Sequence, residues 1–195
     1  MNRQRTFDQY RSIDLTILLI VQVASQFVIH FAATVLYTDQ LYVVSPVAAV
    51  AALVMMRWNG WAAIHILLGG VLYALMAGGN WQHILIYGGG NLLALIALLM
   101  LKYVGKERIR KDGLLTMLYA LLTQLLMQIG RCAVAALLGF PAGVLLGFIT
   151  TDLLSGLFSM VILWSIRRTD GLFEDQKQYL LRIAREQKNE RGEQF

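Results

Sequence analysis

The apolar segment Leu114 to Leu138 and the apolar segment ending at Ile166 are joined by the turn Gly139-Phe140-Pro141-Ala142-Gly143, and each carries one charge in its interior, Arg131 and Asp152. If both arms are helices, the two charges lie almost equally far from Pro141 and so at one depth. An isolated charge in hydrocarbon costs from ~2.5 to over ~10 kcal/mol, so such residues face a partner or a wet cavity. The arms must therefore belong to a bundle, and the pair is the first candidate for a functional interior.

Only 15% of the residues are charged and 57% are hydrophobic, with a mean hydropathy of +0.58. That surface exceeds what a water-soluble domain can solvate, and the class it points to is an all-α integral membrane protein. Crossing about 30 Å of hydrocarbon takes roughly 20 residues, with latitude for tilt. On that scale the sequence predicts a six-helix bundle over 13–166, preceded by a short polar segment (1–12) and followed by a cytoplasmic amphipathic tail (167–195). The first apolar run is too long for a signal peptide and is expected to remain.

The net charge of +5 is a matter of topology. Of 17 Lys and Arg residues, all except Arg131 fall at the amino end, at Arg57, between Lys102 and Lys111, or after Ile166. With six spans these positions share one side, which the positive-inside rule makes the cytoplasm, with both termini inside. No nucleic-acid partner is implied.

The expected spans are Asp14 to Leu36, Leu41 to Met56, Trp61 to Met76, His83 to Leu101, Leu114 to Leu138 and the arm ending at Ile166. Gln22, Gln26 and His30 recur every four positions on the first, so one polar face turns inward. Such a face serves either interhelical hydrogen bonds or a ligand pocket, for which His30, nearer the outside, is the better candidate. Gln124, Gln128 and Arg131 form a second polar face, and Asp152, Ser155 and Ser159 a third. Tyr87-Gly88-Gly89-Gly90-Asn91 opens the fourth span, where three glycines permit tight packing, a kink or a bared backbone. The loop Ala77-Gly78-Gly79-Asn80-Trp81-Gln82-His83 reads either as a mobile recognition element or as an interfacial tryptophan anchor. Ala48 and Ala52 form a small-xxx-small pair suited to close helix approach. His65 and Cys132 read as packed residues.

No catalytic constellation, cofactor motif or metal-ligand cluster is legible, and no nucleotide loop follows the glycines. A chain of this length and span number, with a glycine-rich third-to-fourth region, a polar outer half, and the stretches Met56-Arg57-Trp58-Asn59-Gly60-Trp61 and Thr151-Asp152-Leu153-Leu154-Ser155-Gly156, resembles the substrate-binding S component of an energy-coupling factor (ECF) transporter. The resemblance implies a non-enzymatic subunit of the bacterial plasma membrane that captures a vitamin or similar micronutrient. A transmembrane coupling subunit and two ATPase subunits would drive its reorientation. The family often couples through an AxxxA-type surface on the first helix. Here Ala24 is followed by Val28, whereas Ala48 and Ala52 keep the spacing on the second.

On this reading Arg131 holds a carboxylate, phosphate or carbonyl of the ligand, or is itself held by Asp152. His30, Gln26, Asn91, Gln128, Trp81 and Tyr87 supply hydrogen bonds and stacking. Two other readings stand beside it: a non-transport scaffold in which Arg131 and Asp152 form a structural pair, and a small ion-coupled transporter.

Overall fold

The computed structural model describes residues 7–36, 44–150 and 152–192, and among these the chain is helical with no strand. Five stretches are long and apolar enough to cross a membrane: Phe7–Leu36, Val47–Met76, Trp81–Val104, Gly113–Leu137 and Ala142–Ile166. The distribution of polarity is that of membrane helices. Gln22, Asn91, Gln124, Gln128 and Arg131 are buried while Val28 (67% exposed), Val161 (62%) and Leu137 (86%) face outward. A surface of that kind suits hydrocarbon, where internal hydrogen bonding must satisfy every polar group.

Helix α1 spans Phe7–Phe31 and is continued by a π-helical turn, Ala32–Leu36. The expected second and third spans take a different form. Val47–Met76 folds back on itself at Asn59, whose φ of 54° is left-handed, and gives α2 (Val47–Trp58) and α3 (Ala62–Met76). A Cβ placed on Gly69 would lie 3.1 Å from Val47 Cγ2, so α2 begins level with the middle of α3. With 12 residues α2 is about 18 Å long, too short to cross hydrocarbon alone. Leu41 to Val43, expected to start that span, and the expected external loop Tyr37 to Gln40 lie outside the described residues.

Helix α4 (Trp81–Val104) is wound unevenly, with a π-helical stretch at Leu85–Gly90 and a 3₁₀ stretch at Asn91–Ala97. A short helix α5 (Lys106–Lys111) leads to α6 (Gly113–Leu137), capped by the Asp112 side chain, which accepts from the amides of Leu114 and Leu115. Helix α6 is the central post, packing on α2, on α4 and on both halves of the last arm. That arm is not one helix. It comprises α7 (Ala142–Thr150) and α8 (Leu153–Ile166), with Asp152 between them at φ −105°, ψ 12°.

The turns at Ala77–Asn80 and Leu138–Pro141 mark one end of the bundle, here called distal. The Asn59 turn, α5 and the C-terminal segment mark the proximal end. All the described Lys and Arg residues outside the bundle interior gather proximally, and the distal turns carry none.

The C-terminal segment is seated in a socket that charge counting did not anticipate. Arg57, read as a loop charge, is buried: its Nε and Nη2 donate to the Asp14 carboxylate at 2.9 and 2.7 Å, and its Nη1 donates to the carbonyls of Gly171 and Leu172, both at 2.6 Å. Phe173 is fully buried, and Tyr10 donates to Gln176 Oε1 at 3.2 Å. The tail helix α9 (Gln176–Gly192) starts only after residues 172–175, which plug the bundle. Arg57→Met is expected to cost roughly 3 kcal/mol, since it leaves a largely buried carboxylate without its cation and with the Trp58 indole N–H as its remaining side-chain donor among the described residues. It should also speed tryptic cleavage after Arg167 and Arg168. An unchanged digestion rate and melting temperature would show that the socket contributes little.

Candidate functional site

The charges of the hairpin meet. Arg131 Nη1 donates to Asp152 Oδ2 in a short contact, with side chains 5% and 11% exposed. Helix α4 holds the guanidinium from the other side: Arg131 Nε donates to Asn91 Oδ1 at 2.6 Å, and the guanidinium carbon lies 4.8 Å from the centroid of the Tyr87 ring. Gln124, about two turns earlier on the same face of α6, donates to the same Asp152 oxygen at 2.7 Å. Cation, anion, amide and aromatic face thus come from α4, α6 and the α7–α8 junction.

Glycine makes the approach possible. A Cβ on Gly90 would lie 2.8 Å from the Arg131 amide nitrogen and 2.9 Å from its Cα, and one on Gly130 would overlap the Gly90 carbonyl. Helices α4 and α6 therefore touch backbone to backbone beside the arginine. The π-helical winding just before Asn91 sets that residue and Tyr87 toward the guanidinium, an irregularity often found where a helix carries a site.

Several buried polar atoms nearby have no partner. Asn91 Nδ2, Gln128 Oε1 and Gln26 Oε1 are unpaired, although each residue is at most 4% exposed. Their other amide atoms are engaged: Gln128 Nε2 donates to the Ile149 carbonyl at 3.3 Å and Gln26 Nε2 to the Gly69 carbonyl at 2.9 Å. Leaving such an atom unmet costs roughly 1–3 kcal/mol, and Gln22 Oε1, His65 Nδ1 and Arg167 Nε are unpaired in the same way elsewhere in the bundle.

Toward the distal end, Gln26, Ile29, His30, Val44, Pro46, Tyr73 and Met76 line a narrow cleft of about 10 Å³, room for little more than one water, so a ligand enters only if these side chains move apart. Tyr73 stands between this cleft and the arginine, its ring 4.9 Å from that of Tyr87, which also meets Phe148 edge-on at 5.9 Å. Tyr73 was not among the expected site residues. The signal for it was weak: a lone tyrosine three positions beyond Gly70, in a span whose other polar residue, His65, lies about two turns away.

The expected residues therefore separate. Arg131, Asp152, Asn91 and Tyr87 are in one cluster, Gln128 lies on the same helix face against α7, and Gln26 and His30 line the neighbouring cleft. Trp81 does not join them. It is 62% exposed at the start of α4, because Asn80 caps that helix by accepting from the amides of Gln82 and His83. The loop before it is a tight helix ending, with Gly78 at φ 68° and the Gly79 amide donating to the Ala74 carbonyl at 2.8 Å, and its shape is not that of a loop reaching over the site. Ala48 and Ala52, expected on a coupling surface, are 1% and 0% exposed. They are spent inside the bundle, where Tyr119 Oη donates to the Ala52 carbonyl at 3.0 Å. Among the described residues no three His, Cys, Asp or Glu side chains gather as a metal site would require.

Set against protein-family models, curated proteins and solved structures, the chain matches none of them. The functional reading therefore rests on the chemistry of the site.

Proposed function

We propose that this chain is a substrate-capture subunit of the bacterial plasma membrane, of the kind that ECF-type importers use for vitamins and related micronutrients. The ligand would enter from the distal end, taken as the outside, with both termini in the cytoplasm and six membrane-embedded segments. The α2–α3 hairpin supplies two of them. The proximal clustering of basic residues supports that orientation.

The observation that carries the reading is a buried arginine at the meeting of α4, α6 and the α7–α8 junction, with unpaired amide atoms on its neighbours Asn91 and Gln128 and the Gln26–His30 cleft distal to it. An arginine so placed, among polar groups with bonding capacity to spare, suits capture of an anionic or carbonyl group. Transport would need energy from elsewhere, and the proposed source is a coupling subunit with two ATPases. With Ala48 and Ala52 buried, the contact surface for those partners would lie on other residues.

The test is mass spectrometry of small molecules released from protein purified from its native membrane, with the co-purifying polypeptides identified. One tightly held micronutrient and a pair of ATPases are expected. The closed Arg131–Asp152 pair also favours a second reading, a membrane scaffold. Recovery of cell-wall machinery with no small molecule would decide for it.

A further inference from the structure

Resting on the capture reading above, we infer that Asp152 is a built-in stand-in for the ligand: the site takes a small monocarboxylate with an apolar body, and its carboxylate displaces that of Asp152 from Arg131.

Arg131 does not depend on Asp152 for its position. Asn91 Oδ1 accepts from its Nε at 2.6 Å and the Tyr87 ring lies beneath the guanidinium, both from α4, so the cation stays aimed when the aspartate leaves. Asp152 keeps one donor as it leaves, Gln124 Nε2 at 2.7 Å, and it sits between α7 and α8, outside either helix, so the ligand's hold on Arg131 must outweigh the loss of the ion pair.

The class of ligand follows from charge and walls. Around the pair stand the amides of Asn91 and Gln124 and the phenols of Tyr73 and Tyr87, with His30 farther out in the cleft, and among the described residues no second Lys or Arg contacts it. A monocarboxylate adds one negative charge to this interior and a phosphate dianion would add nearly two, so the single arginine selects the former. Ile29, Val44, Pro46 and Met76 give the approach apolar walls, Gln26 and the titratable His30 are its polar groups, and Tyr73 is the ring that must turn to join cleft and arginine.

The test titrates the full-length protein in lipid nanodiscs with matched acid and amide probes, nicotinate against nicotinamide and benzoate against benzamide. Calorimetry and thermal unfolding are read for the wild type and for Asp152→Asn. The acids are expected to bind at least about tenfold tighter than the amides in the wild type. They should bind about tenfold tighter again in Asp152→Asn, where the competing like charge is gone. Amides that bind as well as acids, or acid binding weakened by Asp152→Asn, overturn the exchange and leave capture standing, as does a co-purified ligand without a carboxylate. If no probe binds either protein and none co-purifies, both fall. If Asp152→Asn does not fold, the wild-type ratio decides alone, and less than tenfold overturns the exchange.

Discussion

Arg131→Met is expected to destabilise the protein by about 3–5 kcal/mol, because it leaves the Asp152 carboxylate buried with Gln124 as its one remaining side-chain donor. The same arithmetic makes the pair itself a weak source of stability. Desolvating both ions costs about what their attraction returns, so the loss comes from halving the pair and not from lacking it. Arg131→Met combined with Asp152→Leu should therefore recover most of the loss, and a double-mutant cycle read by thermal unfolding in detergent isolates the coupling. Additive losses would show that the two side chains do not act together. A recovered fold that no longer holds the co-purifying molecule would separate the pair's binding role from its structural one.

Nearly as large an effect is expected from one methyl group at the crossing of α4 and α6. Gly90→Ala and Gly130→Ala each push a Cβ into the opposing backbone, at the Arg131 amide and at the Gly90 carbonyl. Backbone cannot rotate away as a flexible side chain can, so each should cost at least about 1–3 kcal/mol of overpacking. Each should also weaken ligand retention, because Arg131 moves with its helix. Gly89→Ala is the control within the same run of glycines. Nothing lies within 4 Å of its added Cβ, and alanine is the better helix former by roughly 0.5–1 kcal/mol. The three melting temperatures should fall in two groups, Gly90→Ala and Gly130→Ala well below wild type and Gly89→Ala at or above it. A loss of stability in Gly89→Ala equal to the other two would mean that helix winding, not close approach, governs this region.

Much of this site was legible in the residues. Equal distance from Pro141 put Arg131 and Asp152 at one depth, and the four-residue spacing of Gln22 and Gln26 turned both inward, where both are buried. Asn91 and Tyr87 were singled out by the glycines beside them. Trp81, Ala48 and Ala52 went elsewhere for reasons that spacing does not carry. An asparagine that caps a helix makes the following tryptophan its first, outward residue, and small residues serve an internal contact as readily as an external one. Arg57 was the largest surprise, because a charge at the end of a span looks the same in sequence whether it faces water or binds Asp14 and the carbonyls of Gly171 and Leu172.

The sequence by itself determined that this chain is a set of apolar helices with polar faces turned inward and its basic residues gathered at one end. Those properties are local, set by composition, helical period and the cost of charge in hydrocarbon. The tertiary structure alone decided that α2 is a half-length helix folded against α3, that the last arm breaks at Asp152, and that Tyr73 stands between the distal cleft and Arg131. Each depends on which segments come together, as Gly69 does with the side chains of Gln22 and Val47 and Gly90 with the backbone of Gly130, and that is a property of pairs of segments distant in sequence.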